Sequence, residues 1–304
     1  MENMRNQLVL LYAFIFLGWF FGKIKKSTAD QSSLLSFLLV NLFFPCKLFL
    51  NFSTNFTVSY VKENYLTLFI SAGILLVLVG LGYMLPPLLT KDSYQRKVYN
   101  YSITISNYAY FGYVLVEQVL GVAALNNMMV FCIPFSMYCY TFGVSMLTNK
   151  GTSVKSLLNM PTIAIALGIV WGLLKLPLPD VVRTIMQGAN NCTGPVSMLL
   201  VGLVLATFSW KKLIPNFGVI VFCALRLVVV PAVVFALCKG LNLLMTLPEA
   251  VYPSAVIMAC MPCGLNTVVF PKLIGQDCSL GAKSILLSSL LSCVTIPLWI
   301  SILT

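Results

Sequence analysis

"IMACMPCGLNTVVFPKLIG", residues 257–275, falls where the hydropathy of the chain calls for a helix in lipid, yet it holds Pro262, Pro271, Gly264, Gly275, Asn266 and Lys272. Proline removes a backbone donor and clashes with the preceding turn. Glycine loosens the backbone further. A backbone polar group freed in hydrocarbon costs several kcal/mol unless something satisfies it. Such a break survives only where protein buries it or where it lines a watery cavity. What this break is for depends on the chain around it.

The composition is that of a polytopic membrane protein. Hydrophobic residues make up 59% and charged residues 9%, and the mean hydropathy is +0.94. A soluble domain carries about 25% charged residues. A spanning helix needs ~20 mostly apolar residues. Ten such runs are present, at 7–22, 32–50, 65–89, 98–119, 125–148, 159–175, 183–209, 214–238, 250–273 and 282–303. They are numbered helices 1–10 below. They are too long for barrel strands, which alternate over ~10 residues, and they leave no length for a soluble domain. The first run passes directly into "KIKK" (23–26) without a small-residue cleavage site, as a first membrane helix does and a signal peptide does not.

The net charge of +11 is mostly a topology signal and not a nucleic-acid footprint. Cytoplasmic loops collect Lys and Arg. Alternate loops hold Lys23, Lys25 and Lys26; Lys91, Arg96 and Lys97; Lys150 and Lys155; Lys211 and Lys212; Lys272 and Lys283. The opposite side holds Arg5, Lys62, Lys175, Arg183 and Lys239. This bias puts the "KIKK" loop in the cytoplasm and both termini outside, in a plasma or inner membrane whose anionic lipid adds to the attraction.

Ten cysteines with no histidine argue against a Cys/His zinc site, and nothing in the composition calls for a cofactor. Cys260-Met-Pro-Cys263 is a C-x-x-C, but in an apolar helix without βαβ context it reads as small packing residues rather than a redox pair. Asn51-Phe-Ser and Asn55-Phe-Thr are glycosylation sequons on what reads as an outer loop.

The two halves of the chain resemble each other. "FLGWFFG" (16–22) matches "ALGIVWG" (166–172), and "NLFFP" (41–45) matches "NCTGP" (191–195), both 150 residues apart. Gly121 matches Gly275 at 154, and "CIP" (132–134) matches "TIP" (295–297) at 163. The matches keep chain order and map helices 1, 2, 4 and 5 onto 6, 7, 9 and 10. Five helices are an odd number, so the second copy enters from the opposite side. Inverted repeats of this kind are the construction of secondary transporters. The expected fold is therefore an all-α polytopic membrane protein of ten transmembrane helices. Residues 1–148 form the first five-helix repeat, 149–158 a short cytoplasmic loop and 159–304 the second repeat.

At the shift of 154, "NYAYFGYVLVEQVLG" (107–121) lies over "MPCGLNTVVFPKLIG" (261–275), so helices 4 and 9 are interrupted at matching places. Paired breaks are the best sequence pointer to a transporter's binding site. The helix 4 break carries Ser106, Asn107 and Tyr108 without a proline.

"SNYAYFGYVLVEQVLG" (106–121), "NMPTIAIALGIVWG" (159–172), "MPCGLNTVVFPKLIGQD" (261–277) and "TIPLW" (295–299), taken as an ordered set over nearly the whole chain, resemble the auxin efflux carrier family, which includes plant PIN-FORMED carriers and bacterial malate or malonate permeases. The resemblance implies helices 4 and 9 crossing at unwound centres, as in bile-acid symporters and sodium/proton antiporters. It implies a scaffold of helices 1, 2, 6 and 7, a homodimer, and a transport domain of helices 3–5 and 8–10 that moves as an elevator. Plant long forms carry a large loop between helices 5 and 6 that this chain lacks. Family members often have proline near the helix 4 crossing. Here Tyr108 stands opposite Pro262, so the helix 4 break is expected to be the weaker of the two.

Two half-helix N-terminal ends converging at a crossing suit an anion, above all a carboxylate. Asn107 and Asn266 are the leading side-chain ligands, since each amide offers two donors and an acceptor. The alternative is that they patch the broken backbone. Tyr108, Pro262, Cys263, Gly264 and Thr267 complete the candidate site, although Tyr108, with Tyr110 and Tyr113, also reads as core packing. Lys47, in "FFPCKLF" (43–49), either attracts the anion or snorkels outward. Arg226, in helix 8, reads as structural, with either a backbone carbonyl at a break or the substrate as its partner. All eight Asp and Glu fall near predicted helix ends, which disfavours proton coupling through a buried carboxylate and favours uniport or efflux, with sodium bound by Asn, Thr, Ser and carbonyl oxygens as the alternative. A secondary carrier of small organic anions is the leading function. A sensor with a transporter-like fold lacks a signalling domain or long tail to support it. An enzyme lacks the nucleophile–base pairs and metal ligands it would need.

Overall fold

The computed structural model describes residues 2–24, 29–148, 158–209, 214–272 and 275–303. Among them the chain is helical, apart from short turns and one isolated antiparallel bridge. Helix lies in each of the ten expected runs. Helix 1 is Glu2–Ile24. Helix 2 covers residues 29–55 and carries a π-helical turn at Leu39–Phe43 just before Pro45, which relieves the clash a proline causes inside a helix. Helix 3 is Val58–Met84, helix 6 is Met160–Leu173, helix 7 is Asp180–Ala206 and helix 10 is Ser279–Leu303. Helix 8 runs over 217–244 with a π-helical turn at Leu225–Val229. The remaining helices are in pieces. Helix 4 is Ser93–Thr104 followed by 108–120, and helix 9 is Val251–Cys260 followed by Asn266–Lys272. Helix 5 bends by 50° between Val122–Phe131 and Ile133–Thr148.

Five helices are long and apolar enough to cross a membrane unaided, and six if bent helix 5 is one span. The others fall short for visible reasons. Helices 4 and 9 are split near their middles. The apolar part of helix 1 is Val9–Ile24. Helix 6 has 14 residues, about 21 Å at ~1.5 Å per residue, against a hydrocarbon core of ~30 Å. The chain is thus an all-helical membrane protein with five to six uninterrupted candidate spans.

The expected loop at 149–158 lies, except for Leu158, outside the described residues. So do Lys25, Lys26, Lys150, Lys155, Lys211 and Lys212, on which part of the topology reading rests. The sequons are not on a loop. Helix 2 extends to Asn55, and both Asn51 and Asn55 sit inside it. Their side chains are used within the protein, because the Asn55 amide donates to the Asn51 carbonyl at 2.9 Å and Asn51 bonds to Asn126.

The chain divides into two compact units: Met1–Tyr65, Val114–Asn126 and Val154–Thr207, and Leu66–Tyr113, Asn127–Ser153 and Phe208–Thr304. In the first unit helix 1 packs along helix 7 and helix 6 along helix 2, the two most extensive pairings in the chain. Both depend on glycine. A Cβ on Gly18 would collide with the Leu199 carbonyl, and one on Gly168 would stand 3.0 Å from the Phe49 carbonyl. Gly18 and Gly168 are 150 residues apart, and so are Phe49 and Leu199. Each glycine thus approaches a backbone carbonyl whose own position is offset by the same 150 residues. The Thr193 hydroxyl donates to the Phe43 carbonyl at 3.2 Å, again between positions 150 apart. Gly121 and Gly275, paired by the sequence match, are the glycines with positive φ among the described residues, at 88° and 71°.

The second unit centres on large buried side chains, among them Tyr101, Phe131, Phe135 and Phe222. The Ser71 hydroxyl of helix 3 donates to the Phe131 carbonyl where helix 5 bends.

Overpacking a tight site costs about 1–3 kcal/mol. Gly18→Leu and Gly168→Leu should each lower the melting temperature of the detergent-purified protein. Gly240→Leu, placed where a new Cβ meets no atom within 4 Å, should leave it unchanged. Equal melting temperatures for all three variants would refute the close approach.

Candidate functional site: the crossed breaks of helices 4 and 9

The first half of helix 4 starts under Asp92, whose carboxylate caps it by accepting from the Gln95 amide at 2.7 Å. It ends in Ile103-Thr104-Ile105. A β-branched run is a poor helix former, and the Ser106 and Asn107 that follow compete for backbone hydrogen bonds. Ile105 is extended, with φ −116° and ψ 115°. The first half of helix 9 ends at Cys260. Met261, which precedes Pro262, is extended at φ −65° and ψ 149°, as a residue before proline prefers. The two extended stretches meet. Ser106 and Cys263 form the antiparallel bridge, and the Asn107 amide donates to the Pro262 carbonyl at 2.8 Å. The Asn107 carbonyl then accepts from the Phe111 and Gly112 amides, at 3.2 and 2.9 Å, and opens the π-helical turn Tyr108–Gly112. The helix 4 break is therefore complete without a proline, contrary to the expectation that it would be the weaker one.

The groups that the breaks release are answered from neighbouring elements. The Ser106 hydroxyl donates to the Met258 carbonyl at 2.8 Å. The Cys263 amide donates to the Ser288 hydroxyl of helix 10 at 3.0 Å. The Thr267 hydroxyl donates to the Gly264 carbonyl at 2.9 Å. Arg226, 1% exposed, sends Nη1 to the Ala259 carbonyl at 2.5 Å. This places a cation on the last turn of a half-helix, where the macrodipole is negative. Arg226 has no carboxylate partner among the described residues. Buried atoms that stay without a hydrogen bond include Asn107 Oδ1 and Arg226 Nε.

The remaining candidates divide. Asn266 opens the second half of helix 9, and its amide nitrogen reaches the Tyr101 hydroxyl at 3.0 Å and Cys139 Sγ at 3.4 Å. Tyr108 is buried, shares a 2.9 Å hydrogen bond with Ser136 and packs on Tyr113 and Phe135. Pro262, Cys263, Gly264 and Thr267 are all buried at the crossing. Cys260 and Cys263 are free thiols, both buried. The described residues contain no His/Cys/Asp/Glu group able to hold a metal ion.

Lys47 belongs to the first unit and neither snorkels nor stands alone. It is buried and ion-paired with Glu117, and one turn along helix 2 Asn51 bonds to Asn126. The sequence leaves Lys47 to attract an anion or to snorkel, and it places Glu117 among the acids near helix ends. Only the fold brings these positions together.

An all-helical membrane chain whose two broken segments cross beside unsatisfied buried polar groups has the construction of a solute transporter. A family model described as "Membrane transport protein" matches residues 4–300. The chain belongs to this family, that of the auxin efflux carriers. No match was found among curated proteins. The protein is a membrane transporter, and its family is one of transporters and not of enzymes.

Glu117 keeps 34% of its side chain exposed, so the Lys47–Glu117 pair sits closer to a screened than to a dry ion pair. A double-mutant cycle over Lys47→Met and Glu117→Gln should give a coupling of about 0.5–1 kcal/mol, read from thermal unfolding in detergent. Strict additivity would mean that the two residues do not interact.

Proposed function

We propose that this transporter is a secondary carrier of small organic anions, mono- or dicarboxylates, and that the crossing of helices 4 and 9 is where the anion binds. The observation that carries this reading is the Asn107 side chain, 4% exposed and with its oxygen unpartnered, at the N-terminal end of the helical segment 108–120. A helix N-terminus carries roughly +0.5 elementary charge and spare N–H groups. The amide presents its oxygen to a hydroxyl or protonated carboxyl, or after half a rotation its NH2 group to a carboxylate. Arg226 of helix 8 adds a positive charge beside the break in helix 9, at the Ala259 carbonyl. Asn266, at the first turn beyond that break, is the second ligand.

The finer architecture belongs to the same proposal. The chain is built from two inverted five-helix repeats spanning the membrane ten times, with both termini outside. The exchanged glycine contacts of helices 1–7 and 6–2, and the matched positive φ at Gly121 and Gly275, support this. The molecule works as a homodimeric elevator in which most of helices 3–5 and 8–10 move against helices 1, 2, 6 and 7. The division into two compact units supports that assignment, with one departure: residues 114–126 group with helices 1, 2, 6 and 7. With no histidine and only eight acids in the sequence, uniport or efflux driven by concentration and membrane potential fits better than proton coupling through a buried carboxylate.

Purified protein in liposomes should carry labelled malate, malonate or indole acetate above the leak of empty vesicles. Asn107→Ala and Asn266→Ala should each cut that flux at least tenfold without lowering the melting temperature. Wild-type flux in both variants would remove the crossing as the site.

A further inference from the structure

A second polar site lies wholly within the first unit. A cavity of about 250 Å3 is lined by Ser53, Thr54, Thr57, Trp171, Lys175 and Arg183, with Gly172, Leu176 and Leu178 closing its wall. Its lining holds two cations and three hydroxyls but no carboxylate. Neither Lys175 nor Arg183 has an ion-pair or side-chain hydrogen-bond partner among the described residues. Thr57 Oγ1 accepts from the Tyr60 amide at 3.2 Å and keeps its own proton to donate. The indole N–H of Trp171 is buried and has no acceptor.

The backbone at Lys175 sharpens the point. Helix 6 ends with the Lys175 amide bonded to the Gly172 carbonyl and the Leu176 amide bonded to the Trp171 carbonyl, both at 3.2 Å. Lys175 takes φ 51° and is the non-glycine residue with positive φ among those described. Helix ends of this shape ordinarily use glycine there, because a side chain is strained in the left-handed region. The sequence keeps a lysine instead, at the mouth of a cavity that has no negative charge.

We propose that this cavity binds a phosphate group, supplied by the headgroup of an anionic phospholipid. The cations and the Thr54 and Thr57 hydroxyls form a phosphate cradle in which the Arg183 guanidinium grips two oxygens and Lys175 acts as a point charge, while the Ser53 hydroxyl already donates to the Leu50 carbonyl at 3.2 Å. The surroundings favour lipid as the source. Leu174, Val181 and Ile185, next to the two cations in sequence, are 63%, 71% and 68% exposed. They offer acyl chains an apolar wall beside the headgroup, at a helix end that the proposed topology puts on the outer face of the membrane, so the lipid is one of the outer leaflet. Asp180 opens helix 7 nearby in sequence but does not line the cavity.

The test uses the full-length protein in an uncharged detergent, with melting temperature followed as dioleoyl-phosphatidylglycerol or inorganic phosphate is titrated in. Lys175→Gly suits φ 51°, so that variant should fold at least as stably as wild type in the absence of lipid, and a lost response is then not a folding failure. Phosphatidylglycerol should raise the wild-type melting temperature by several degrees. The Lys175→Gly/Arg183→Gln double variant should need at least tenfold more lipid for the same shift. Equal stabilisation by inorganic phosphate, lost in the double variant, would keep the phosphate site and assign it to a soluble anion. No stabilisation by either compound, or a response undiminished in the double variant, would overturn the proposal.

Discussion

A peptide group without a hydrogen-bond partner is costly in hydrocarbon, and this chain creates several by breaking two helices near their middles. The second unit is arranged to answer them. The broken ends serve each other first, through the Ser106–Cys263 bridge and the bond from the Asn107 amide to the Pro262 carbonyl. Helix 10 contributes Ser288, helix 8 contributes Arg226, and Ser106 reaches back to Met258. With the backbone met in this way, the side-chain oxygen of Asn107 remains as spare capacity in a buried place. In the proposed function this residue of polarity is what meets the solute, strong enough to hold it and incomplete enough to release it.

Lys47 and Arg226, both buried, show two solutions to one problem. A charge taken out of water must find a partner or it will not be tolerated. Lys47 has a carboxylate, Glu117, and the pair is neutral. Arg226 has a carbonyl at the negative end of a half-helix, which satisfies hydrogen bonding but leaves its charge uncancelled. The first arrangement ties helix 2 to the segment 114–126 within the first unit. The second leaves positive potential beside the break in helix 9, where an anionic solute would complete the pairing.

Much of this was legible in the residues, and what was not has a physical reason. Pro262 and Gly264 announced the break in helix 9 because they act on their own backbone. The break in helix 4 was harder to weigh, since Ile103, Thr104, Ile105, Ser106 and Asn107 each oppose the helix only weakly and their effect is cumulative. The 150-residue offset picked out Gly18 and Gly168, and each approaches a backbone carbonyl whose own position is offset by the same 150 residues. The cost of a lone charge left Arg226 either a backbone carbonyl or the substrate as partner, and the Ala259 carbonyl is the one it meets. Glu117 was missed because 70 residues separate it from Lys47 and no local rule links them. Residues 51–55 were read as loop for their polarity, yet Asn51 and Asn55 keep helix 2 going by bonding inside the protein. The spacing of Thr57, Trp171, Lys175 and Arg183 likewise reveals nothing until helices 2 and 6 are packed together.

The meeting of the two breaks is open to a direct chemical measurement. Residues paired across an antiparallel bridge have Cα atoms about 4.5–5.5 Å apart, within the ~4.4–6.8 Å that a disulfide spans. Ser106→Cys, in a chain whose other cysteines except Cys263 are replaced by serine, should close a bond between positions 106 and 263 on mild oxidation, identified by mass spectrometry of the joined peptides. Free thiols at both positions after oxidation, in protein that remains folded, would contradict the crossing and with it the site.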